Sequence, residues 1–397
     1  MVVEEVFSQE GQGRTFRPMP REDTWRCPPD GWLCLGLMSG TSVDGLDVAV
    51  VRVHAEHSTA PPSSPSACAW KATLEHTTTL TYPESLHRDL WRAMELSAVD
   101  LLRLDKRWAT WSAEAVQAWL EDVNVPLAAL SVVGSHGHTV HHRPEEGWTH
   151  QLGCGATLHR SWGIPVVSDL RRLDVAWGGQ GAPLVPLADK ALFPEWDAVL
   201  NLGGFANVSL DGPDGRRLAW DIGPANLLLN TLVHPLPMDM DGALAAQGEV
   251  LPDLLQAWQA LNHHHQPPPK SLGREWLEAE VLPVLDAHPG ASQADALATA
   301  VEYIAWSVVK DMPEGARVLV TGGGAWNPTL MAALGRQGEE KNLDWYVPQK
   351  ELVEGKEAMV FAWLGLLRWL GIDNTLSSVT GAERDSSGGA LWGQGAL

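Results

Sequence analysis

Two stretches of this chain share a pattern that few folds use twice: an apolar strand, a tight turn crowded with glycine, and a second apolar strand. The first, "LGLMSGTSVDGLDVAVVRV", runs from Leu35 to Val53. The second, "AVLNLGGFANVSLDGPDGRRLAWDIG", runs from Ala198 to Gly223 and adds a third strand after a DG turn at Asp214 and Gly215. The glycines supply backbone shapes that other residues resist, which is the mark of a β-hairpin. The stretches lie about 170 residues apart, close to one domain length. They read as a diverged repeat, in which two similar lobes face each other and bring two such turns to one cleft. A length of 397 residues agrees, because single cores stop growing near roughly 250 to 300 residues.

Helical patterns separate these strands. "TWSAEAVQAWLEDV" is one, and "LSVVGSHG" reads as a strand that ends at Gly134 in a loop. In "SQADALATAVEYIAWSVVKDMPEG", Leu297, Val301, Ile304, Ala305 and Val308 form one helix face, with a capping pair Ser292/Asp295 and a stop at Pro313 and Gly315. "RVLVTGGGAWNPTLMAAL" runs a strand into three glycines and then a helix opening near Pro328. The alternation predicts an α/β fold with mixed sheets. The inserts "HAEHSTAPPSSPSA" and "NHHHQPPP" read as surface loops. The expected organisation is a flexible extension over 1–30, a first domain over 31–165 joined by 385–397, and a second domain over 166–384.

Charge narrows the partners. Lys plus Arg number 28 against 49 Asp plus Glu, a net charge of -21, which disfavours nucleic acid and anionic membranes because both need clustered cations. The N-terminal segment lacks the apolar run of a signal peptide. "AMVFAWLGLLRWLGI" is too short to span a membrane and carries Arg368, so it reads as a buried helix. Cys27, Cys34, Cys68 and Cys154 form neither a CxxC pair nor a dense framework, which points to a reducing cytoplasm. Most of the 20 tryptophans, such as Trp119, Trp258 and Trp306, fall on helical patterns and read as core.

Ordinary phosphate loops are missing: no GxxxxGK[ST] occurs, and no GxGxxG stands at a strand-to-helix junction. The first hairpin offers another device. Gly40, Thr41, Ser42 and Gly45 carry N–H and hydroxyl donors suited to phosphate oxygens, and Asp44 or Asp47 could hold Mg²⁺ through water. An ordinary β-turn draws on the same residue types. Recurrence at Gly203 and Gly204, with a third patch at Gly322, Gly323 and Gly324, favours phosphate; side-chain-free residues let a nucleotide approach closely. The runs "HGHTVHH" and "NHHHQ" have no Cys or carboxylate partner in the sequence nearby, so loop packing or sugar contacts are expected there and not zinc.

The stretches "GLMSGTSVDGLD", "GSHGHTVHHRP", "DLRRLDVAWGGQGAPLVP", "LNLGGFANVSL", "WDIGPANLLLN", "DGALAAQG", "PKSLGRE", "TGGGAWNP" and "EAMVFAWLG" occur in this order from about Leu35 to near the C-terminus. With them the chain resembles the anhydro-N-acetylmuramic acid kinases. The resemblance implies a two-lobed actin-like ATPase fold, ribonuclease H-like, with mixed sheets flanked by helices and the active site in the interdomain cleft. It implies a kinase that uses ATP, Mg²⁺ and water to open the 1,6-anhydro bridge of anhydro-N-acetylmuramic acid and phosphorylate O6. N-acetylmuramic acid 6-phosphate and ADP would be the products, in peptidoglycan recycling, and the family suggests a homodimer.

The family's residues carry over position by position. Asp221 in "WDIGPAN" is the expected base, and Glu357 the helix-start glutamate that helps hold water or sugar. Asp174, Gly179 and Gln180, with the loop at His136, Gly137 and His138, are expected to line the sugar pocket. The hairpin Gly40, Thr41, Ser42, Val43, Asp44, Gly45, Leu46 and Asp47, the pair Gly203 and Gly204, and Gly322 to Gly324 are expected to hold ATP. Three positions depart from the pattern: His138 replaces glutamine, Met240 replaces a basic residue, and Leu272 replaces threonine. Two other readings stand beside this one: a sugar kinase acting on an ordinary hydroxyl, and a noncatalytic nucleotide-dependent binding module.

Overall fold

The first hairpin forms as the glycine turn requires. β1 (Trp32–Ser39) pairs antiparallel with β2 (Leu46–Ala55), and β2 with β3 (Trp70–Leu80). β4 (Val132–Arg143) lies parallel to β1; β5 (Trp148–Leu152) folds back on its far half, and β6 (Val166–Ser168) lies parallel to its near half. The second sheet repeats this order. β7 (Ala198–Leu202), β8 (Phe205–Asp211) and β9 (Arg217–Pro224) form an antiparallel meander, while β10 (Arg317–Thr321) and β11 (Asp344–Tyr346) continue it in parallel. The path β3-β2-β1-β4-β6 therefore matches β9-β8-β7-β10-β11. β12 (Ala390–Trp392) extends the first sheet by pairing with β6. A computed structural model describes residues 27–40, 43–56, 65 and 68–394.

Both faces of the first sheet are covered, so its strands are apolar on both sides. Leu35, Leu37, Val48 and Val133 pack against helix Ala98–Asp122, which contributes Leu104, Trp108 and Val116. Cys34, Val51 and Val132 face the opposite way, toward helix Lys350–Trp369, and Val199 and Leu319 of the second sheet join the same cluster. Helices Lys350–Trp369 and Val185–Leu192 thus form a layer shared by both sheets. The second sheet's other face is sealed by helix Gln293–Asp311, which begins at the expected cap: Ser292 accepts from the Asp295 N–H.

Helix Lys350–Trp369 sits unusually near the sheet. A Cβ on Gly36 would fall 1.8 Å from the Ala358 carbonyl oxygen, one on Gly134 1.9 Å from that of Phe361, and one on Gly365 2.5 Å from the Gly134 Cα. Only glycine permits backbone to meet backbone at that distance.

Two expectations need correction. β4 does not end at Gly134 but runs to Arg143, so "HGHTVHH" lies on a strand, held there by pairing with β5. The "NHHHQPPP" segment lies at the surface for the most part, with Asn262 and residues 265–269 exposed, but His263 and His264 are buried within a short 3₁₀ turn, Asn262–His265. Thr41 and Ser42, most of the 1–30 extension and most of the 54–67 insert lie outside the described residues.

Substituting Gly134→Ala should lower the Tm by about 1 to 4 °C, since overpacking costs typically about 1 to 3 kcal/mol and the added methyl meets main chain. Turnover should fall with it, because the displaced helix carries Glu357. Thermal unfolding checks this, and an unchanged Tm would show that the helix has room to retreat.

Candidate active site

The two meanders and the shared helices enclose a cleft of about 860 Å³, reached by Asp47 from the first sheet, Asp221 and Asn201 from the second, and Lys356 and Glu357 from the helix between them. The connecting loops add Arg171, Gln180, Lys270 and Ser271.

Asp221 stands on β9 and caps no helix: helix Asn226–Leu232 starts at Ala225 without a side-chain cap. Its Oδ2 accepts from the Leu272 N–H at 2.8 Å and from the Ser271 hydroxyl at 3.3 Å. Oδ1 makes no hydrogen bond among the described residues. Burial raises the carboxyl above its usual range, and the Leu272 and Ser271 donors oppose the rise. The result is an oriented carboxylate with one open oxygen and strengthened basicity. Leu272, where the sequence lacks the expected threonine, works through its main chain.

Glu357 lies two turns inside helix Lys350–Trp369, not at its start, so the dipole of a first helical turn does not act on it. Its side chain is exposed to the cleft, whose walls crowd the carboxyl. Burial raises its carboxyl, with Lys356 and Arg171 pulling the other way. Beside it, Lys356 Nζ meets Asp189 Oδ1 at 2.8 Å, both side chains almost fully buried. Ser209 donates to Asp189 Oδ2 at 2.6 Å, and Arg217 Nη2 donates to Ser209 at 3.0 Å, so the network joins the shared helices to the second sheet.

Asp47 faces the same cleft from β2. Burial pushes its carboxyl up to about 6; the hydroxyl of Thr79, 2.6 Å from Oδ1, lowers it, and Glu357, Asp44 and Glu354 raise it further. Asp44 is exposed at the hairpin. Val43 and Leu46 point their side chains into the core, leaving only main chain to a ligand, and the Val43 N–H closes the turn on the Gly40 carbonyl at 3.2 Å.

The second turn is tied to the start of helix Asn226–Leu232. The Gly203 carbonyl accepts from the Asn226 N–H, and the Gly204 carbonyl from Ala225 and Leu227. Gly203 and Gly322 reach the cleft. At Gly322, with φ of 82°, a Cβ would lie 2.5 Å from Asn201 Oδ1; Gly323 is exposed and Gly324 is buried against Leu202. The three glycines do not open the helix. A 3₁₀ turn, Gly323–Trp326, intervenes, and helix Pro328–Gly338 starts beyond it with Asn327 as cap.

Of the residues expected at the sugar, only Gln180 lines the cleft. Asp174 is fully buried, accepting from Thr380 Oγ1 at 2.7 Å and from the Gly181 N–H at 2.7 Å, so it shapes the 178–181 loop from beneath. Gly179 packs on it so closely that a Cβ would sit 2.3 Å from Asp174 Oδ2. Gly137, with φ of 76°, abuts the Leu152 carbonyl. His136 accepts from Arg171 Nε at 2.8 Å, which leaves its Nδ1–H to donate to the Gly137 carbonyl at 3.0 Å. Burial and Arg171 drive its pKa far down, so a neutral imidazole aims Arg171 into the cleft. Arg171 escaped sequence reasoning because "DLRRLD" offers two adjacent arginines and no pattern to separate them. Met240 is exposed and stands outside the cleft wall.

His138 braces the first hairpin from behind. Trp108 Nε1 donates to the Tyr82 hydroxyl at 3.2 Å, Tyr82 donates to Ser39 at 2.7 Å, and Ser39 meets His138 Nδ1 at 3.0 Å. The ring also bonds the Gly40 main chain, and burial pushes its pKa down to about 4. The unfolded chain protonates near the ordinary value of about 6.5, so between these values the unfolded state binds more protons. Stability is complete above that range and drains as pH falls through it. Replacing His138→Gln removes this titration: from pH 7 to pH 5, wild type should lose about 2 kcal/mol more than the variant in urea unfolding. Equal losses would mean that the imidazole titrates normally.

Residues 32–394 match the sequence profile of the anhydro-N-acetylmuramic acid kinase family. The anhydro-N-acetylmuramic acid kinase of Xanthomonas oryzae pv. oryzae is 38% identical over 382 residues, covering 91% of this chain and 98% of that protein. The proteins of the same name from Pseudomonas putida and Paramagnetospirillum magneticum are each 37% identical over 371 residues, covering 88% and 90% of this chain and 96% and 98% of theirs. With the duplicated sheet order and the cleft between the lobes, these similarities make the chain a member of the anhydro-N-acetylmuramic acid kinase family.

Proposed function

We propose that this protein uses ATP and water to open the 1,6-anhydro bridge of anhydro-N-acetylmuramic acid and to phosphorylate the freed O6, as part of cell-wall recycling. The observation that carries the reading is Asp221: an oriented carboxylate with one unbonded oxygen on the wall of a cleft that is also lined by Asp47, just past the first glycine turn, and by Gly203 of the second. Water attacks the anomeric carbon as Asp221 takes its proton, and the bond from that carbon to O6 breaks. O6 then bonds to the γ-phosphorus as the bond to ADP breaks, in line with the attack. Glu357 and Gln180 hold water or sugar, and Arg171 supplies a cation for the acidic sugar or a phosphate oxygen.

The nucleotide lies between the first hairpin and the turns at Gly203 and Gly322. Among the described residues no group of three or more His, Cys, Asp or Glu side chains could hold a metal by itself. Mg²⁺ in kinases rests on one or two carboxylates plus substrate phosphates, so the oxygen donors at the cleft fit it. Asp47 would hold it through water, with exposed Asp44 nearby, and the ion would neutralise charge developing on the phosphates. The four cysteines are all free, which supports work in the reducing cytoplasm.

Incubation with Mg·ATP and the anhydro sugar in ¹⁸O-labelled water tests the reaction by product mass. Bridge opening places the label at the anomeric carbon; phosphorylation of an ordinary hydroxyl leaves the product unlabelled and would overturn the reading. Asp221→Asn should reduce kcat by about 10² to 10⁴-fold with ATP binding nearly unchanged, as loss of a general base requires.

A further inference from the structure

We infer that His263 is a positioning residue for Asp221, its imidazole N–H holding the Asp221 main-chain carbonyl within a closed ring of three hydrogen bonds completed by Lys270. The inference rests on Asp221 being the base. His263 Nε2 lies 2.8 Å from the Asp221 carbonyl oxygen. The carbonyl of His263 accepts from Lys270 Nζ at 2.9 Å, and that of Lys270 accepts from the Asp221 N–H at 3.0 Å. Each residue of the ring is thereby donor to one neighbour and acceptor from the other.

β9 is the outer strand of the second sheet, and an unpaired edge is free to shift or splay. The 263–272 segment occupies that edge at Asp221 itself. After Lys270 fixes the main chain, Ser271 and Leu272 reach Oδ2 of the same residue. One segment therefore sets both the backbone and the carboxylate.

The partner of Nε2 is a carbonyl, which only accepts, so Nε2 carries the proton. Packing locks the ring: Trp276 lies 5.4 Å away between centroids, and neighbouring His264 meets the Tyr303 hydroxyl at 2.6 Å. The titratable and charged groups facing His263 are His264 beside it, Lys270 on the same segment, and Lys310 and Asp311 at the end of helix Gln293–Asp311. Lys270 Nζ also lies 4.0 Å from Asp311, and its side chain is 5% exposed, so its ammonium is held by the ring and by Asp311.

His263→Phe keeps a ring against Trp276 and deletes the donor; His263→Gln restores an N–H. In steady-state assays of ADP formation with the anhydro sugar, His263→Phe should lower kcat about ten-fold with the KM for ATP unchanged. The acid limb of its kcat–pH profile should move upward, because the Leu272 and Ser271 donors that favour ionised Asp221 loosen together. His263→Gln should recover most of the rate. If His263→Phe does not fold, Lys270→Met breaks the ring at another bond and should give the same kcat loss and the same limb shift. Wild-type kcat and acid limb in a folded His263→Phe or Lys270→Met protein would overturn the inference. Asp221→Asn separates the two readings. If it is inactive while both ring variants behave as wild type, only the positioning role fails; if it turns over normally, the base assignment itself fails.

Discussion

The closeness of helix Lys350–Trp369 to the first sheet fixes the geometry on which everything else depends. At Gly36, Gly134 and Gly365 the two backbones touch with no side chain between them. A helix held by main-chain contact has little freedom to slide, since any displacement opens voids in a close-packed interior. The same helix covers apolar residues from both sheets and turns Lys356 and Glu357 toward the cleft. Glycine, chosen for its absence of a side chain, thus sets where charged side chains stand.

Charge within the cleft is arranged as an excess of acid that the protein offsets only in part. Asp47 and Glu357 are each raised by burial, and each is partly answered from the protein: Thr79 donates to Asp47, while Lys356 and Arg171 face Glu357. Burying carboxylates this way costs stability, which a fold retains where the groups do chemistry. Behind them the neutral imidazoles of His136 and His138 supply aim and not charge, one steering Arg171 and the other steadying the hairpin at Gly40.

The hairpins, the repeat and the buried helix are legible in the sequence because glycine punctuation and apolar runs are local signals. Asp221 enters through the family motif "WDIGPAN", and the structure sets it on β9 facing the cleft. Distant contacts decide the features that the sequence hides. The polar run "HGHTVHH" shows no apolar alternation, yet pairing with β5 keeps it a strand. "NHHHQ" reads as surface because histidine is polar, yet His263 turns inward because β9 offers an edge with a carbonyl to bond, and His264 because the Tyr303 hydroxyl does the same. Glu357 is placed at a helix start by the family resemblance alone, whereas the helix begins at Lys350. Motif position puts Asp174 and His138 in the right neighbourhood but one layer too far forward, since a motif reports proximity and not which way a side chain points.

The Lys356–Asp189 pair lies on the two helices that the lobes have in common, tied through Ser209 to the second sheet. Atoms near the axis of a rotation travel least. If one lobe swings on the other about this layer, the bolt stays fastened while Asp47 and Asp221, carried on different sheets, change their separation across the cleft. Such a joint would let the gap change without leaving either buried charge bare, because the pair moves as one piece.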